Sequence, residues 1–310
     1  MIKMRSLNAA VLSMLVLSAG SVATYSRASD TAALRSLPAP LFGVTINEVS
    51  GLRQIVASSR RLSHKPTTRI YFNVNEPPGH YAGAVRTLHP YSYLMGELLD
   101  SSEEKGISTG AFEARTKSYL RAFGANIDIW EIGNEVNGRW LGSYSTVSAK
   151  LTEAYHAVAA RRDRTALTLF YNAGCGDGNQ ELDPIAFSRK YVPTAVRDGL
   201  NYVLLSYFVY YCHGIRPSSA QWTSYFKRLH NLYPHAQLGF GEVGMQNPAT
   251  KATLATARSL ITYYYGLKVG LPYYVGGYFW WYYAEDCIPA ASKPLWRVLN
   301  HGFQAEASAH

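Results

Sequence analysis

The fold is decided by the stretch Ile127–Gly138, which reads IDIWEIGNEVNG. Its first half is apolar enough for a strand that is covered on both faces, as in a parallel sheet, and Gly133 lets a second group approach closely. Asn134 and Glu135 then interrupt the apolar run at the carboxyl end of the strand. In parallel barrels the carboxyl ends of the strands form the face where catalytic groups lie. The stretch therefore predicts a buried strand that places a glutamate at such a face.

A second stretch, Gln237–Met245, repeats this pattern with the sequence QLGFGEVGM. Here an apolar strand ends in Glu242, which is flanked by glycines. Two carboxylates on separate strand ends suit glycoside hydrolysis, because one protonates the leaving oxygen while the other attacks the sugar or activates water. Carboxyl groups about 5–5.5 Å apart would give retention of configuration, and a separation of about 6.5–9.5 Å would give inversion.

The rest of the chain alternates apolar strands with segments of helical spacing. The other six predicted strands are Leu41–Glu48, Thr68–Asn75, Tyr93–Asp100, Ala166–Asn172, Asn201–Tyr207 and Gly277–Tyr282. Alternation in the second of them places Arg69 on the face opposite Ile70 and Phe72, towards a barrel interior. Eight strands in one unbroken run predict a single-domain α/β fold, a (β/α)₈ TIM barrel over residues 41–310.

Residues 1–23 have the pattern of a secretory signal peptide. Two basic residues precede the apolar run Ala9–Ala19, and a small-x-small cleavage site ends at Ala23. A membrane anchor needs about 20 apolar residues, so this run is too short to be one. We expect a secreted or periplasmic protein with a leader over residues 24–40 and no membrane span.

The chain of 310 residues carries a formal charge of +9, and loss of Lys3 and Arg5 with the signal peptide leaves +7. This charge favours an acidic or envelope-associated polysaccharide as partner. The longest basic run is Arg161–Arg164, so a clustered motif for nucleic acid is missing and we expect no nucleic-acid partner. None of the nine histidines forms a metal-binding pattern. We expect a monomer without metal or cofactor.

Three cysteines, Cys175, Cys212 and Cys287, are too few for a disulfide scaffold. Export permits one disulfide, and we favour Cys175 with Cys212 because both follow neighbouring predicted strands. A competing hypothesis is a cysteine nucleophile, with Cys175 or Cys212 acting beside His213. No recognised cysteine motif surrounds either residue.

The strand-end residues resemble the retaining glycoside hydrolases of clan A, a superfamily of barrel enzymes. The resemblance rests on Asn134 and Glu135 after strand four, Glu242 after strand seven, Arg69 on strand two and a tryptophan at the end of strand eight. It implies that Glu135 is the acid/base and that Glu242 is the nucleophile.

By the same resemblance, Asn134 would bind the sugar 2-hydroxyl and Trp280 would stack under that sugar, although only one of Trp280 and Trp281 can face the barrel mouth. Arg69 and Tyr207 would hold and orient Glu242. Strand six departs from the His-x-Tyr signature common in the clan, which puts this partner of Glu242 in doubt. Glu131 lies deeper in its strand and suits a buried structural role beside Arg69.

These features predict an exported hydrolase that cleaves O-glycosidic bonds in a poly- or oligosaccharide by retaining double displacement. The alternative is a carbohydrate-binding barrel without catalysis that serves polysaccharide export or assembly. Presence of both Glu135 and Glu242 argues against this alternative.

Overall fold

The computed structural model describes residues 34–172, 175, 181–245 and 251–309. Within them, seven parallel strands form one sheet whose spatial order follows the chain. The strands are β1 (Gly43–Ile46), β2 (Thr67–Tyr71), β3 (Tyr93–Glu97), β4 (Ile129–Gly133), β5 (Thr165–Phe170), β6 (Tyr202–Ser206) and β7 (Gln237–Glu242). Strands one to seven of the predicted barrel are thereby confirmed in order and place.

The helices follow the strands and cover the outer face of the sheet. They are α1 (Leu52–Ser59), α2 (Pro78–Leu88), α3 (Thr109–Phe123), α4 (Tyr144–Ala159), α5 (Pro184–Tyr191), α6 (Thr194–Gly199), α7 (Ser219–His230), α8 (Lys251–Tyr265), α9 (Tyr283–Cys287) and α10 (Pro294–Ala309). Three of these helices have serine N-caps: the side chains of Ser108, Ser143 and Ser218 each accept a hydrogen bond from a backbone N–H of the first turn.

The eighth strand position differs from the prediction, because Gly277–Tyr282 is not a regular strand. The chain there still bonds to both edges of the sheet: Gly43 N donates to Gly277 O at 2.7 Å, and Phe240 N donates to Gly276 O at 2.8 Å. Gly276, Gly277 and Tyr278 have φ of 59°, 93° and 54°, a left-handed region that interrupts a strand. The segment closes the barrel between β7 and β1 without forming a continuous ladder.

Two apolar clusters make up the core. The larger one lies between the outer face of the strands and the helices, and it includes Ile70, Phe72, Trp130 and Ile132. The smaller one fills the barrel interior with side chains from successive strands, namely Leu41, Met95, Ile129, Ala166, Leu204 and Phe279, together with Tyr202 and Val275. Each fully buried large apolar side chain stabilises the fold by about 1.5–3 kcal/mol. Because apolar side chains fill part of the interior, polar groups are confined to the rest of it.

One disulfide joins the loops that follow β5 and β6. Cys175 and Cys212 are bonded, with their Cα atoms 4.9 Å apart, which confirms the expected pairing. A cysteine nucleophile at either residue is therefore wrong, because a disulfide sulfur carries no thiolate. Cys287 is free and buried.

Residues Ala33–His310 form one compact unit. The signal peptide over residues 1–23 and most of the leader over 24–40 lie outside the described residues, so they stay predictions. Arg35, near the start of the described chain, binds the carboxylate of Asp128 and donates to His89 O at 2.7 Å. No helix in the described ranges has the length and apolar character to cross a membrane.

Candidate active site

Glu242 points into the barrel mouth because β7 carries a β-bulge. Phe240 pairs with Leu205, but the next residue of β6, Ser206, pairs with Glu242, so Gly241 is an extra residue. A bulge puts two successive residues on the same side of a strand and re-aims the second. Phe240 belongs to the outer core, whereas a Cβ on Gly241 would lie 2.7 Å from Thr168 Oγ1 inside the barrel. Only glycine fits the bulge that turns Glu242 inward.

β4 contains a matching irregularity below Glu135. Glu131 pairs with Ala166 and Gly133 pairs with Leu167, so the register shifts between them. Glu135 then has a φ of 47°, a left-handed conformation that costs a non-glycine residue on the order of 1–3 kcal/mol. Such strain persists where the surrounding structure enforces it, and it clusters at active sites. Both predicted acids thus sit on distorted strand ends.

Arg69 lies beneath these acids and is completely buried. Its Nη1 donates to Glu242 Oε2 at 3.0 Å, as the resemblance implied for a group that holds Glu242. Its Nε and Nη2 donate to the two oxygens of Glu131 at 2.6 and 3.2 Å. The expected structural pairing of Glu131 with Arg69 is confirmed, and its two-pronged geometry fixes the guanidinium plane.

A third carboxylate, Glu97 at the end of β3, shares this guanidinium. Glu97 Oε1 lies 3.0 Å from Arg69 Nη2. However, no described N–H or O–H points at either Glu97 oxygen with the geometry of a hydrogen bond. Burial raises the pKa of Glu97 well above its ordinary value, although the charge of Arg69 opposes this. Burial therefore favours the protonated form of Glu97, against the attraction of Arg69. Sequence reasoning missed Glu97, whose signal is a charged residue inside an apolar strand.

Asn134 and Ser101 connect the two acids. Asn134 Nδ2 donates to Glu242 Oε2 at 3.3 Å, while Asn134 Oδ1 accepts from the backbone N–H of Ser101 at 3.1 Å. Ser101 Oγ in turn donates to Glu135 Oε2 at 2.9 Å. Because every one of these side chains is buried, the bonds hold both carboxylates in fixed positions.

The electrostatics separate the two acids. Burial and the charge of Asp100 raise the pKa of Glu135 to about 7, against the hydrogen bond from Ser101. Burial also raises the pKa of Glu242. The charge of Arg69 lowers this pKa, whereas the charge of Glu135 raises it. The repulsion from Glu135 disappears once Glu135 holds a proton. Because Arg69 and Asn134 both donate hydrogen bonds to Glu242 and not to Glu135, these contacts favour the charge on Glu242 and the proton on Glu135.

Both carboxylates open into one cavity of about 510 Å³ at the mouth of the barrel. Aromatic side chains supply much of its wall: Trp140, Phe170, Phe208, Tyr210, Tyr211, Trp281 and Tyr282. Asp100 and Ser101 also line it. An aromatic cleft with two fixed carboxylates has the surface character that sugar C–H faces require.

Trp280, predicted to stack under the sugar, does not reach this cavity. It is completely buried in the outer core, and its Nε1 donates to Asp286 Oδ2 at 2.9 Å. Side-chain alternation explains the outcome, because Phe279 belongs to the barrel interior and Trp280 therefore faces outward. Trp281 faces inward and lines the cavity, with the Arg69 guanidinium 5.2 Å from its ring centre.

Tyr207 also faces away from Glu242, so its predicted contact with the nucleophile is wrong. Its hydroxyl donates to Ile215 O at 2.8 Å, and its ring packs against Tyr171 and Trp222. Leu204 lies in the barrel interior, so alternation sends Tyr207 outward. Only the backbone N–H of Tyr207 contacts Glu242, at its carbonyl oxygen.

Tyr211 is a cleft residue that sequence reasoning did not assign. It lies next to disulfide-bonded Cys212 and lines the cavity with its side chain about half exposed. Burial raises the pKa of its phenol, with contributions from Tyr210 and from the charges of Glu135 and Glu242. The phenol is thus within electrostatic reach of both acids. The only sequence signal for it is the aromatic loop after strand six.

Known structures share this architecture. A GH10 xylanase from Bispora sp. MEY-1, solved with xylobiose, is 11% identical, with 78% of this chain and 83% of that chain covered at a TM-score of 0.56. The catalytic domain of the major endoglucanase from Xanthomonas campestris pv. campestris is 13% identical, with 84% and 95% covered at 0.52. A plant β-glucan endohydrolase is 13% identical, with 77% and 90% covered at 0.52.

No protein-family model and no curated protein matches the chain. Identities of 11–13% show a shared fold and nothing finer. The structural comparisons nevertheless confirm, at the level of the fold, the resemblance that the strand-end motifs indicated: this chain shares the parallel-stranded barrel fold of the xylanase, the endoglucanase and the β-glucan endohydrolase.

Proposed function

We propose that the protein is an exported glycoside hydrolase that cleaves O-glycosidic bonds in a poly- or oligosaccharide with retention of configuration. The observation that carries the proposal is the placement of Glu135 and Glu242 in one aromatic cleft, where Arg69 and Asn134 donate hydrogen bonds to Glu242 and not to Glu135. The same fold in a xylanase and an endoglucanase supports it.

In the first step the ionised carboxylate of Glu242 attacks the anomeric carbon while the bond to the leaving oxygen breaks. Glu135 donates its proton to that oxygen, so the leaving group departs as an alcohol. Arg69 keeps Glu242 ionised before the attack. The hydrogen bond from Asn134 Nδ2 holds the same carboxylate in position. The product of this step is a glycosyl ester of Glu242.

In the second step Glu135, now ionised, removes a proton from a water molecule that attacks the same carbon. The ester bond to Glu242 breaks, the sugar leaves with its original configuration, and Glu135 holds a proton again. A pKa of about 7 suits a group that must both give and take a proton near neutral pH.

The test is hydrolysis of a glycan panel, followed by ¹H NMR of the first-formed anomer. We expect cleavage with retained configuration by the wild type and none by the Glu135→Gln/Glu242→Gln double variant. Binding without cleavage by the wild type would instead support the carbohydrate-binding barrel, and an inverted product would contradict double displacement.

The pH dependence follows from Glu135. We expect kcat/KM to fall on the alkaline side with an apparent pKa of about 7, because Glu135 must be protonated for the first step. Asp100→Asn removes a charge that raises this pKa, so the alkaline limb should move to lower pH by on the order of one unit. The exposed control Asp198→Asn should leave the limb in place. An alkaline limb that Asp100→Asn does not move would contradict this assignment.

The two adjacent tryptophans provide a matched pair for substrate contact. Trp281→Ala should raise KM by about tenfold or more, because an aromatic stacking surface of the cleft is lost. Trp280→Ala should leave KM close to the wild-type value and lower the unfolding free energy by about 3–5 kcal/mol, because it empties a core position. Michaelis kinetics and chemical denaturation of both variants check this, and the reverse pattern would restore Trp280 to the cleft.

Export is proposed from the sequence alone. Residues 1–23 should be removed on secretion, so that the mature chain begins at Thr24. Sequencing the amino terminus of protein recovered from the medium or periplasm measures this directly. An intact Met1 in protein from that fraction would contradict a cleaved signal.

A further inference from the structure

The cleft carries one more carboxylate than double displacement uses. Asp100 follows β3 and lines the cavity together with Glu135 and Glu242. The charge of Asp100 reaches both acids, since it contributes to the raised pKa of each. This third negative charge helps to raise the pKa of Glu135, but it also works against ionisation of the nucleophile Glu242.

The charge of Asp100 is not balanced by the protein. No described basic side chain forms an ion pair with Asp100 or with Glu135. The side chain of Asp100 is partly exposed, and its Oδ1 accepts hydrogen bonds from the backbone N–H and the hydroxyl of Ser102. No described donor bonds to its Oδ2. The carboxylate is therefore held in place by one oxygen with the other available to a ligand.

Among the residues that the structure describes, the lining of the cleft includes no Lys, Arg or His to meet a negative ligand. Arg69 lies below the cleft and is bonded to Glu131 and Glu242. The chain as a whole is strongly basic at +9, so an acidic cleft is a local departure from the overall charge. Uronic acid units, which the overall charge favoured, would be repelled where cleavage occurs.

Ammonium groups match both features of this cleft. A carboxylate forms a charge-assisted hydrogen bond with an ammonium group, and aromatic faces attract a nearby cation. Tyr210, Tyr211 and Trp281 supply such faces beside the carboxylates. We propose that the cleft selects a glycan with free amino groups and that Asp100 binds the ammonium of a hexosamine unit. This inference rests on the proposed glycoside hydrolase function and specifies its substrate class.

The first test measures affinity in the Glu135→Gln variant, which removes the acid but keeps the cleft. Short oligomers of glucosamine, glucose and glucuronic acid, matched in length and prepared with β-1,4, β-1,3 or β-1,6 linkages, are titrated by calorimetry. Within the linkage that binds, glucosamine oligomers should bind at least about tenfold more tightly than glucose oligomers. Glucuronic acid oligomers should bind most weakly.

The second test asks whether Asp100 supplies this preference. In the Glu135→Gln background, Asp100→Asn should weaken binding of the glucosamine oligomer about tenfold and leave binding of the glucose oligomer unchanged. The control Asp198→Asn, at an exposed site outside the cleft, should change neither. If Asp100 served only to raise the pKa of Glu135, Asp100→Asn would shift the pH profile for every substrate and would not change the ligand preference.

The outcomes separate the two proposals. Cleavage of glucose or glucuronic acid oligomers in preference to glucosamine oligomers by the wild type overturns the amino-sugar inference and leaves the hydrolase function standing. An unchanged glucosamine preference in Asp100→Asn overturns the role of Asp100. Absence of both binding and cleavage across the whole panel counts against the hydrolase function itself.

Discussion

Glu242→Gln should lower kcat/KM by about 10⁴-fold or more, because the amide cannot attack the anomeric carbon. The substitution preserves shape, and the amide oxygen can still accept the hydrogen bond from Arg69 Nη1. Loss of activity would therefore report lost chemistry and not lost folding. Circular dichroism and chemical denaturation check the fold, and Glu153→Gln, an exposed glutamate on α4, is the matched control.

Glu135→Gln should lower kcat/KM by about 10²–10⁴-fold. The loss should shrink for aryl glycosides whose leaving group departs without protonation, because then only the second step needs Glu135. This dependence on the leaving group distinguishes the acid/base from the nucleophile, whose removal affects every substrate.

Azide gives a second distinction between the two acids. In Glu242→Ala, azide occupies the space of the nucleophile and should yield a glycosyl azide of inverted configuration. In Glu135→Ala, azide replaces water in the second step and should yield the retained configuration. Exchange of these two results between the variants would reverse the assigned roles, and full activity in either variant would remove it from the mechanism.

The strand order could be predicted from sequence because each strand is a short apolar run that ends in polar residues. Seven such runs coincide with β1 to β7. The last run, Gly277–Tyr282, has the right position, but left-handed residues at Gly277 and Tyr278 prevent a regular ladder. Between the second and third of these runs lies α2 (Pro78–Leu88), and the proline in its first turn is a helix-start signal.

The facing of individual side chains was harder to predict, because alternation fails at a bulge. Counting by twos from Phe240 would send Glu242 outward, and the extra residue Gly241 reverses this. An isolated glycine in a strand is the sequence signal for such a bulge. The predictions for Trp280 and Tyr207 were wrong for the opposite reason. The resemblance assigned both side chains to the cleft, whereas ordinary alternation from Phe279 and Leu204 places them outside the barrel.

The ion pairs of Arg69 with Glu97, Glu131 and Glu242 explain why the site could be recognised only in part from the sequence. Arg69, Glu242 and Glu131 were named from sequence, whereas Glu97 and Asp100 were taken as the end of a strand. Their importance depends on distances across neighbouring strands, since Glu97 pairs with Glu131 in the β3–β4 register. The register between neighbouring strands, and so which of their side chains are in contact, cannot be read from a single amino-acid sequence.

Arg69→Met should be the most destabilising substitution in the barrel interior. It removes the positive charge that faces Glu97, Glu131 and Glu242, all of them buried. Removing one partner of a buried ion pair typically costs about 3–5 kcal/mol, because the remaining charge is left without compensation. Arg121→Met, on the exposed face of α3, should stay within about 0.5 kcal/mol of the wild type.

The loss in Arg69→Met should depend on pH, and its direction follows from proton binding. Without Arg69, Glu242 and Glu97 lose the charge that lowers their pKa values, so the folded variant binds protons more tightly than the unfolded chain. Its unfolding free energy must then fall as pH rises above the ordinary carboxyl range of about 4. Denaturation at pH 5 and pH 8 should show the smaller deficit at pH 5. Addition of Glu242→Gln should recover part of the stability at pH 8, because it removes a carboxylate that has lost its ion pair with Arg69. A deficit independent of pH would mean that Arg69 stabilises the barrel by packing and not by its charge.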